Sequence, residues 1–150
     1  MIRIQTEDFD VGTEIAALEN NGRSGAIATF TGLVRNRGDR QDVAALFLEH
    51  YPGMTENVIA DLIDQARGRW TIDDARVIHR VGHLPLGDRI VFVGVSSAHR
   101  QDAFAACEFI MDALKTSAPF WKKEITADGE SHWVEQKDSD REKAKGWGNG

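Results

Sequence analysis

Residues 89–100, RIVFVGVSSAHR, decide the fold of this chain, because an apolar run passes here into a helical pattern. The β-branched and aromatic residues over 89–96 predict a strand. Residues 100–117 carry apolar side chains at helical spacing and predict a long helix that ends before Pro119. The predicted buried face of this helix carries Phe104, Cys107, Met111 and Leu114.

The segments on either side extend this pattern through the chain. A short strand holds Ile2 and Ile4, and further strands are predicted over 25–34, 43–50, 76–81, 121–126 and 131–135. Two more helices are predicted, one over 11–20 capped by Asp10 and one over 56–69 capped by Thr55. Strands therefore come in adjacent pairs with helices between the pairs. This order favours an α+β domain with a mixed, largely antiparallel sheet over a doubly wound parallel fold.

Length and composition favour one compact domain in the cytosol. The chain has 150 residues, of which 41% are hydrophobic and 28% charged. We expect a single domain over 1–137 and a charged, Gly-rich, mobile tail over 138–150. The N-terminus lacks the apolar block of a signal peptide, and no apolar run approaches the length of a membrane helix. One cysteine, Cys107, excludes an internal disulfide framework and a metal site built from several cysteines.

Cationic residues stand out because the chain is acidic overall, with a formal net charge of −6. They occupy three places: Arg35, Arg37 and Arg40 after the strand 25–34, His99 and Arg100 at the start of the long helix, and Lys115, Lys122 and Lys123 near its end. A helix of this length separates its ends by about 24 Å. His99 and Lys115 therefore cannot touch along one helix, although they could line one elongated groove or meet across a dimer interface. The alternative is scattered, solvated surface charge.

The two ends of the long helix are the candidate sites for an anion. Free backbone N–H groups, with His99 and Arg100, could bind a phosphate or carboxylate at the N-terminus. Ser96 or Ser97 could instead act only as an N-cap. At the other end, Lys115 either complements the helix dipole or forms a lysine site beside Trp121, which could stack on a flat heterocycle or lie in the core. The five histidines are too dispersed to predict a metal site, and no Gly-rich phosphate loop occurs.

Seven stretches, taken in order and spacing, resemble the catalytic (large) subunit of molybdopterin synthase. They are TFTGLVRN (29–36), LEHYPGMT (48–55), IHRVG (78–82), GD (87–88), VFVGVSSAHR (91–100), FIMDALKT (109–116) and APFWKK (118–123). The resemblance covers roughly residues 25–135 and implies an α/β hammerhead-type fold. It also implies a homodimer within a heterotetramer, in which a small ubiquitin-like sulfur-carrier subunit docks at each end.

The activity implied by the resemblance is a sulfur transfer. The carrier's C-terminal Gly-Gly thiocarboxylate enters a pocket of the large subunit, and two sulfurs pass in turn to cyclic pyranopterin monophosphate to form the dithiolene of molybdopterin. No metal or organic cofactor is implied for this step, nor is a nucleic acid or a membrane.

The resemblance also implies roles for particular residues. Lys115 matches the essential active-site lysine, and Lys122 matches the second. The remaining matches are Arg35, His99 and Arg100 in the substrate and phosphate pocket, Phe30 and Met111 near the carrier tail, and Lys137 where relatives can place an arginine from the other protomer. A lysine holds a phosphate less specifically than the planar fork of arginine.

Two other classes of function stay open. A non-catalytic module could bind a carrier tail or an anionic metabolite, although an inactive paralogue would be expected to have lost Lys115 or Lys122. A nucleic-acid-binding domain would use Arg35 and Trp121. The acidic net charge disfavours that third class.

Overall fold

The computed structural model describes residues 1–38, 42–134 and 146–147. Within these ranges the elements are, in order, β1 (Ile2–Gln5), α1 (Val11–Leu18), β2 (Ala26–Leu33), β3 (Val43–His50), α2 (Met54–Arg69), β4 (Asp74–Arg80), β5 (Gly82–Pro85), β6 (Arg89–Ser97), α3 (Arg100–Thr116), β7 (Phe120–Thr126) and β8 (Ser131–Val134). The predicted elements are all found near their expected positions. The additional element is β5, in a segment predicted as part of a tight connection.

The strands form two four-stranded sheets rather than one. The first has the order β1-β4-β6-β2 and is mixed, because β1 is parallel to β4 while the other pairs are antiparallel. The second, β5-β3-β7-β8, is antiparallel throughout. These sheets and helices confirm the predicted α+β class. The chain changes sheet between β4 and β5 at Gly82, whose φ of +88° suits glycine.

The strand β6 lies at the centre of the fold and is buried on both faces. Val91, Val93 and Val95 belong to the core cluster that includes residues of α2 and α3. Between them, Phe92 packs on the other face with Leu18 of α1. Since each buried side chain of this size contributes about 1.5–3 kcal/mol, this strand supplies a large share of the hydrophobic stabilisation.

The buried face of α3 differs from the prediction. Phe104 was expected in the core but is 65% exposed. The buried residues are Ala103, Ala106, Cys107, Phe109, Ile110, Ala113 and Leu114. The three alanines let the helix lie close to the sheet, so the contact stripe is rotated away from the larger Phe104. No helix in the described part of the chain is long and apolar enough to span a membrane.

Helix capping was predicted correctly at α1 and wrongly at α2. The Asp10 carboxylate accepts a hydrogen bond from Thr13 N at 3.0 Å, as expected of an N-cap. At α2 the cap is Gly53, whose N–H donates to the Glu56 carboxylate at 3.1 Å. Thr55 is fully buried in the first turn, where its hydroxyl donates to the Tyr51 carbonyl at 2.9 Å.

Of the C-terminal tail predicted above, the structure describes a short segment ending at Trp147. Its ring meets Trp70 and Phe109 edge to face, at 5.6 Å between centroids in both pairs. Its indole N–H donates to Asp112 Oδ2 at 2.7 Å, and Arg69 Nη1 donates to its carbonyl at 2.6 Å. Trp147 therefore joins α2 and α3 through both apolar and polar contacts.

We expect Trp147→Ala to lower the free energy of unfolding by about 2 kcal/mol, because the variant loses a partly buried ring and leaves Asp112 without the indole donor. Urea unfolding at pH 7 measures the change. Trp133→Ala is the matched control, since Trp133 is 58% exposed, and its change should stay below about 1 kcal/mol. Equal effects of the two substitutions would show that the Trp147 contacts do not stabilise the fold.

Candidate functional site

A cavity of about 560 Å³ opens where the two sheets meet the C-terminal end of α3. Both sheets contribute to its lining, the first through β2, β4 and β6 and the second through β3 and β7. Its lining side chains include Phe30, Leu33, Arg35, Arg37, Leu46, Leu48, His79, Ile90, Met111, Leu114, Lys115, Phe120, Lys122 and Glu124. A mixed polar and apolar cavity of this size is suitable for a small organic ligand.

The cavity gathers several of the predicted site residues from distant parts of the sequence. Arg35 follows the end of β2, Lys115 lies in the last turn of α3, and Lys122 lies on β7 between Leu48 and Val134 of the neighbouring strands. The predicted carrier-tail residues, Phe30 and Met111, line the same cavity.

Successive side chains of β7 point to opposite faces of its sheet, so only alternate residues reach the cavity. Phe120, Lys122 and Glu124 line the cavity, whereas Trp121 and Lys123 belong to the opposite face. Trp121 is 47% exposed and packs beside Tyr51, so it neither lies in the core nor borders the cavity. The aromatic ring in the cavity is Phe120 instead.

The charges around the cavity favour an anionic ligand. Its described lining contains four cationic side chains, which are Arg35, Arg37, Lys115 and Lys122, and the single carboxylate of Glu124. Glu124 is 2% exposed. An excess of fixed cations in a concave, partly dry site raises the local concentration of anions and binds phosphate or carboxylate oxygens through charge-assisted hydrogen bonds.

His79 is a cavity residue that the sequence did not single out. The ring is 9% exposed and stacks on Phe120 with centroids 3.8 Å apart and an interplanar angle of 17°. Nδ1 lies 2.8 Å from the carbonyl oxygen of Arg80. Burial, with smaller contributions from the charges of His50 and Lys115, lowers the pKa of His79 to about 4. In the sequence, His79 belongs to the IHRVG stretch (78–82) of the family resemblance, but nothing in that stretch assigns a role to it.

The structure does not bring His99 and Arg100 to this cavity. Both are exposed at the N-terminal end of α3, whose 17 residues span about 25 Å. Lys137, the last predicted site residue, lies outside the described residues.

The predicted serine cap of α3 is wrong. The N-cap residue is His99, and no side chain caps the helix there. The Ser97 hydroxyl donates instead to the carbonyl of Thr71 at 2.7 Å. Ser96 is fully buried, and its hydroxyl has no hydrogen-bond partner among the described residues. The free N–H groups of α3 thus stay open to solvent or to a ligand.

The remaining chemistry-bearing side chains contribute little to a site. Cys107 is buried on the apolar face of α3, and burial raises the pKa of its thiol to about 11. It is therefore a thiol at neutral pH and a poor nucleophile. In the described ranges, no three His, Cys, Asp or Glu side chains group together as ligands for a metal ion.

The low pKa of His79 makes stability depend on pH. An unfolded histidine protonates near pH 6.5, whereas folded His79 resists protonation down to about pH 4. Below pH 6.5 the unfolded state therefore binds more protons, and this group should lower the free energy of unfolding by about 3 kcal/mol between pH 6.5 and pH 4. Below that range its contribution levels off.

Urea unfolding at several pH values, in the parent and in His79→Gln, measures this slope. The variant should lose most of the decrease in stability between pH 6.5 and pH 4. His83→Gln is the control substitution, because His83 is exposed and does not line the cavity. Identical slopes in the parent and His79→Gln would contradict the assignment to His79.

Comparisons with known proteins identify the family of this chain. A model of the family described as MoaE protein matches residues 4–117. The molybdopterin synthase catalytic subunit of Vibrio cholerae is 52% identical over 146 residues, 97% of this chain and 97% of that protein. The solved structure of the molybdopterin biosynthesis MoaE protein from Burkholderia ambifaria has a TM-score of 0.83 and 49% identity, covering 100% of this chain and 99% of that one.

A more distant solved structure has the same fold. It is a complex of subunits 1 and 2 of the molybdopterin-converting factor from Helicobacter pylori, with a TM-score of 0.74, 17% identity and 91% coverage of both chains. The family model matches more than half of this chain, and close relatives match almost all of it. The chain therefore belongs to the MoaE family, whose curated members are catalytic subunits of molybdopterin synthase.

Proposed function

We propose that this protein is the catalytic subunit of a molybdopterin synthase and transfers two sulfurs, in turn, from a small carrier protein to cyclic pyranopterin monophosphate. The observation that carries the proposal is the cavity at the junction of the sheets, in which Arg35, Lys115 and Lys122 are brought together. Membership of the MoaE family supports the same assignment. The product is the dithiolene of molybdopterin.

The cavity suits both reactants. The cyclic phosphate and the thiocarboxylate of the carrier are anions, and the four cations of the lining can donate charge-assisted hydrogen bonds to them. The flat pterin needs an aromatic or apolar surface, which Phe120, Leu114 and Met111 can supply. Phe30 is 41% exposed at the cavity, where it can pack against an incoming chain end.

The reaction requires groups that stabilise anions and donate protons. In each transfer a bond forms between the thiocarboxylate sulfur and a substrate carbon, and the bond from that carbon to its oxygen breaks. At one carbon the departing oxygen is that of the cyclic phosphate, and at the other it leaves as water. Water then cleaves the bond from that sulfur to the carrier's carbonyl carbon, which leaves the carrier as a carboxylate. Opening of the cyclic phosphate also releases an oxyanion. We assign Lys115 and Lys122 to stabilise these charges and Arg35 to hold the phosphate.

A second copy of the chain would complete the site. His99 and Arg100 lie at the far end of α3 from Lys115, so they cannot serve the same cavity within one chain. In the homodimer that we propose, His99 and Arg100 of the partner subunit supply phosphate ligands at the cavity. Lys137 would be a further cation delivered across the same interface.

We further propose that a small ubiquitin-like carrier docks on each protomer and inserts its C-terminal Gly-Gly thiocarboxylate, giving a heterotetramer. The two-subunit complex from Helicobacter pylori supports a protein partner of this kind. The reaction needs no cysteine relay, in keeping with the buried Cys107 thiol. The lone, reduced cysteine suits a cytoplasmic location.

Lys115→Ala should lower product formation at least 100-fold, because a group that stabilises developing negative charge is lost. An anaerobic assay of dithiolene product with thiocarboxylated carrier and cyclic pyranopterin monophosphate measures the effect. Lys123→Ala is the matched control, since Lys123 lies on the same strand as Lys122 but on the opposite face. Both variants should change the free energy of unfolding by less than about 0.5 kcal/mol. Near-normal turnover by Lys115→Ala would remove this lysine from the mechanism.

Arg100→Ala should lower kcat/KM by about 10- to 150-fold, the value of one charge-assisted hydrogen bond. Because we assign Arg100 to the partner's cavity, this variant and Lys115→Ala should complement each other. Equal mixing with subunit exchange makes half of the dimers mixed, and each mixed dimer holds one intact site, so activity should return to about a quarter of the parent. No recovery in mixed dimers would show that the two residues do not share a site across the interface.

A further inference from the structure

The buried ring of His79 presents one hydrogen-bonding atom that the fold does not use. The partner of Nδ1 is a carbonyl oxygen, which can only accept, so Nδ1 carries the proton of the neutral ring. Nε2 is then the unprotonated atom. It has no hydrogen-bond partner among the described residues, and the ring to which it belongs lines the cavity.

Contacts on two sides fix this ring in one orientation. Phe120 stacks on its face at 3.8 Å, and the Arg80 carbonyl holds Nδ1 at 2.8 Å. An acceptor held in this way is already oriented before a ligand enters, which reduces the entropy lost on binding.

Among the residues that the structure describes, the cavity has few such acceptors. Arg35, Arg37, Lys115 and Lys122 can only donate when charged. Besides the backbone, the described lining residues whose side chains offer an oxygen or nitrogen acceptor are Glu124 (carboxylate), Thr31 (hydroxyl) and His79 (Nε2). Of these, His79 is the neutral acceptor that lies against an aromatic ring. A phosphate would be bound by the donors, whereas a heterocycle with N–H groups needs an acceptor beside an apolar surface.

We propose that His79 binds the heterocycle of the substrate, with Nε2 accepting a hydrogen bond from a ring N–H of the reduced pterin while the cations bind the phosphate. The inference rests on the proposed function, and it assigns the two ends of the substrate to two parts of one cavity. His79 thereby selects for a ligand whose ring edge carries a donor, and discriminates against analogues that lack it.

The charges around His79 keep it available for this role. Lys115 of α3 and His50 of β3 both oppose its protonation, and burial opposes it more strongly. Arg35, Arg37 and Lys122 add positive charge to the same cavity, against one carboxylate, that of Glu124, in its described lining. The pKa of His79 is about 4, so the imidazole is an acceptor, not a donor, at neutral pH.

Two amide variants distinguish the role of Nδ1 from the role of Nε2. In His79→Asn the amide lies near the position of Nδ1 and can still donate to the Arg80 carbonyl, but no acceptor reaches the position of Nε2. In His79→Gln the longer side chain places an amide oxygen near Nε2. The probes are a tetrahydropterin without phosphate, kept anaerobic, and inorganic phosphate, each titrated calorimetrically.

We expect His79→Asn to weaken tetrahydropterin binding about tenfold and phosphate binding less than twofold, and His79→Gln to recover most of the loss. Arg35→Ala should show the reverse pattern. Unchanged tetrahydropterin affinity in His79→Asn would overturn the proposal. An equal loss for both probes, with a lowered melting temperature, would also overturn it, because His79 would then be structural.

A measurement on the parent protein covers the case in which the variants do not fold. In protein labelled with ¹⁵N-histidine, tetrahydropterin should shift the Nε2 resonance of His79, whereas phosphate should not. An unmoved resonance at saturating tetrahydropterin would refute the contact. Product formation by the parent, together with either negative result, would leave the proposed function intact and reject the role of His79 alone.

Discussion

The burial of β6 on both faces positions the helices around it. Valines on one face pack against α2 and α3, while Phe92 on the other meets α1. A Cβ at Gly94 would lie 2.5 Å from Leu18 Cδ1, so any larger residue there would force the Leu18 and Phe92 side chains to move. The helix α3 begins three residues after the end of β6 and packs on its valine face, so the position of β6 sets where α3 lies.

The position of α3 then sets where the cationic residues at its two ends lie. Its C-terminal turn brings Lys115 to the junction of the two sheets, where Arg35 and Lys122 also project. Its N-terminus carries His99 and Arg100 about 25 Å away. One rigid helix thus separates two cationic regions that a phosphate-bearing substrate would need together. In the symmetric pair of chains that we propose, the N-terminus of one α3 would approach the cavity of the other.

Local patterns in the sequence were enough to place most of the elements. The predicted strand 43–50 coincides with β3, and the predicted helix 100–117 differs from α3 by one residue at its end. Hydrophobic periodicity and proline breaks are local signals and identify such segments well. The same signals failed for β5, a short edge strand held by its pairing with β3, and for Phe104, whose spacing fitted a buried stripe that the alanines occupy instead.

The order of the amino acids is enough to predict the α+β class, the family resemblance and a set of cations, among them Arg35, Lys115 and Lys122. Packing of elements distant in sequence brings these three to one cavity and keeps His99 and Arg100 away from it. It also decides that Phe120 faces the cavity rather than Trp121, and that His79 is a buried, neutral acceptor. The physical reason is that desolvation and side-chain contact depend on elements distant in sequence, which periodicity along one segment cannot report.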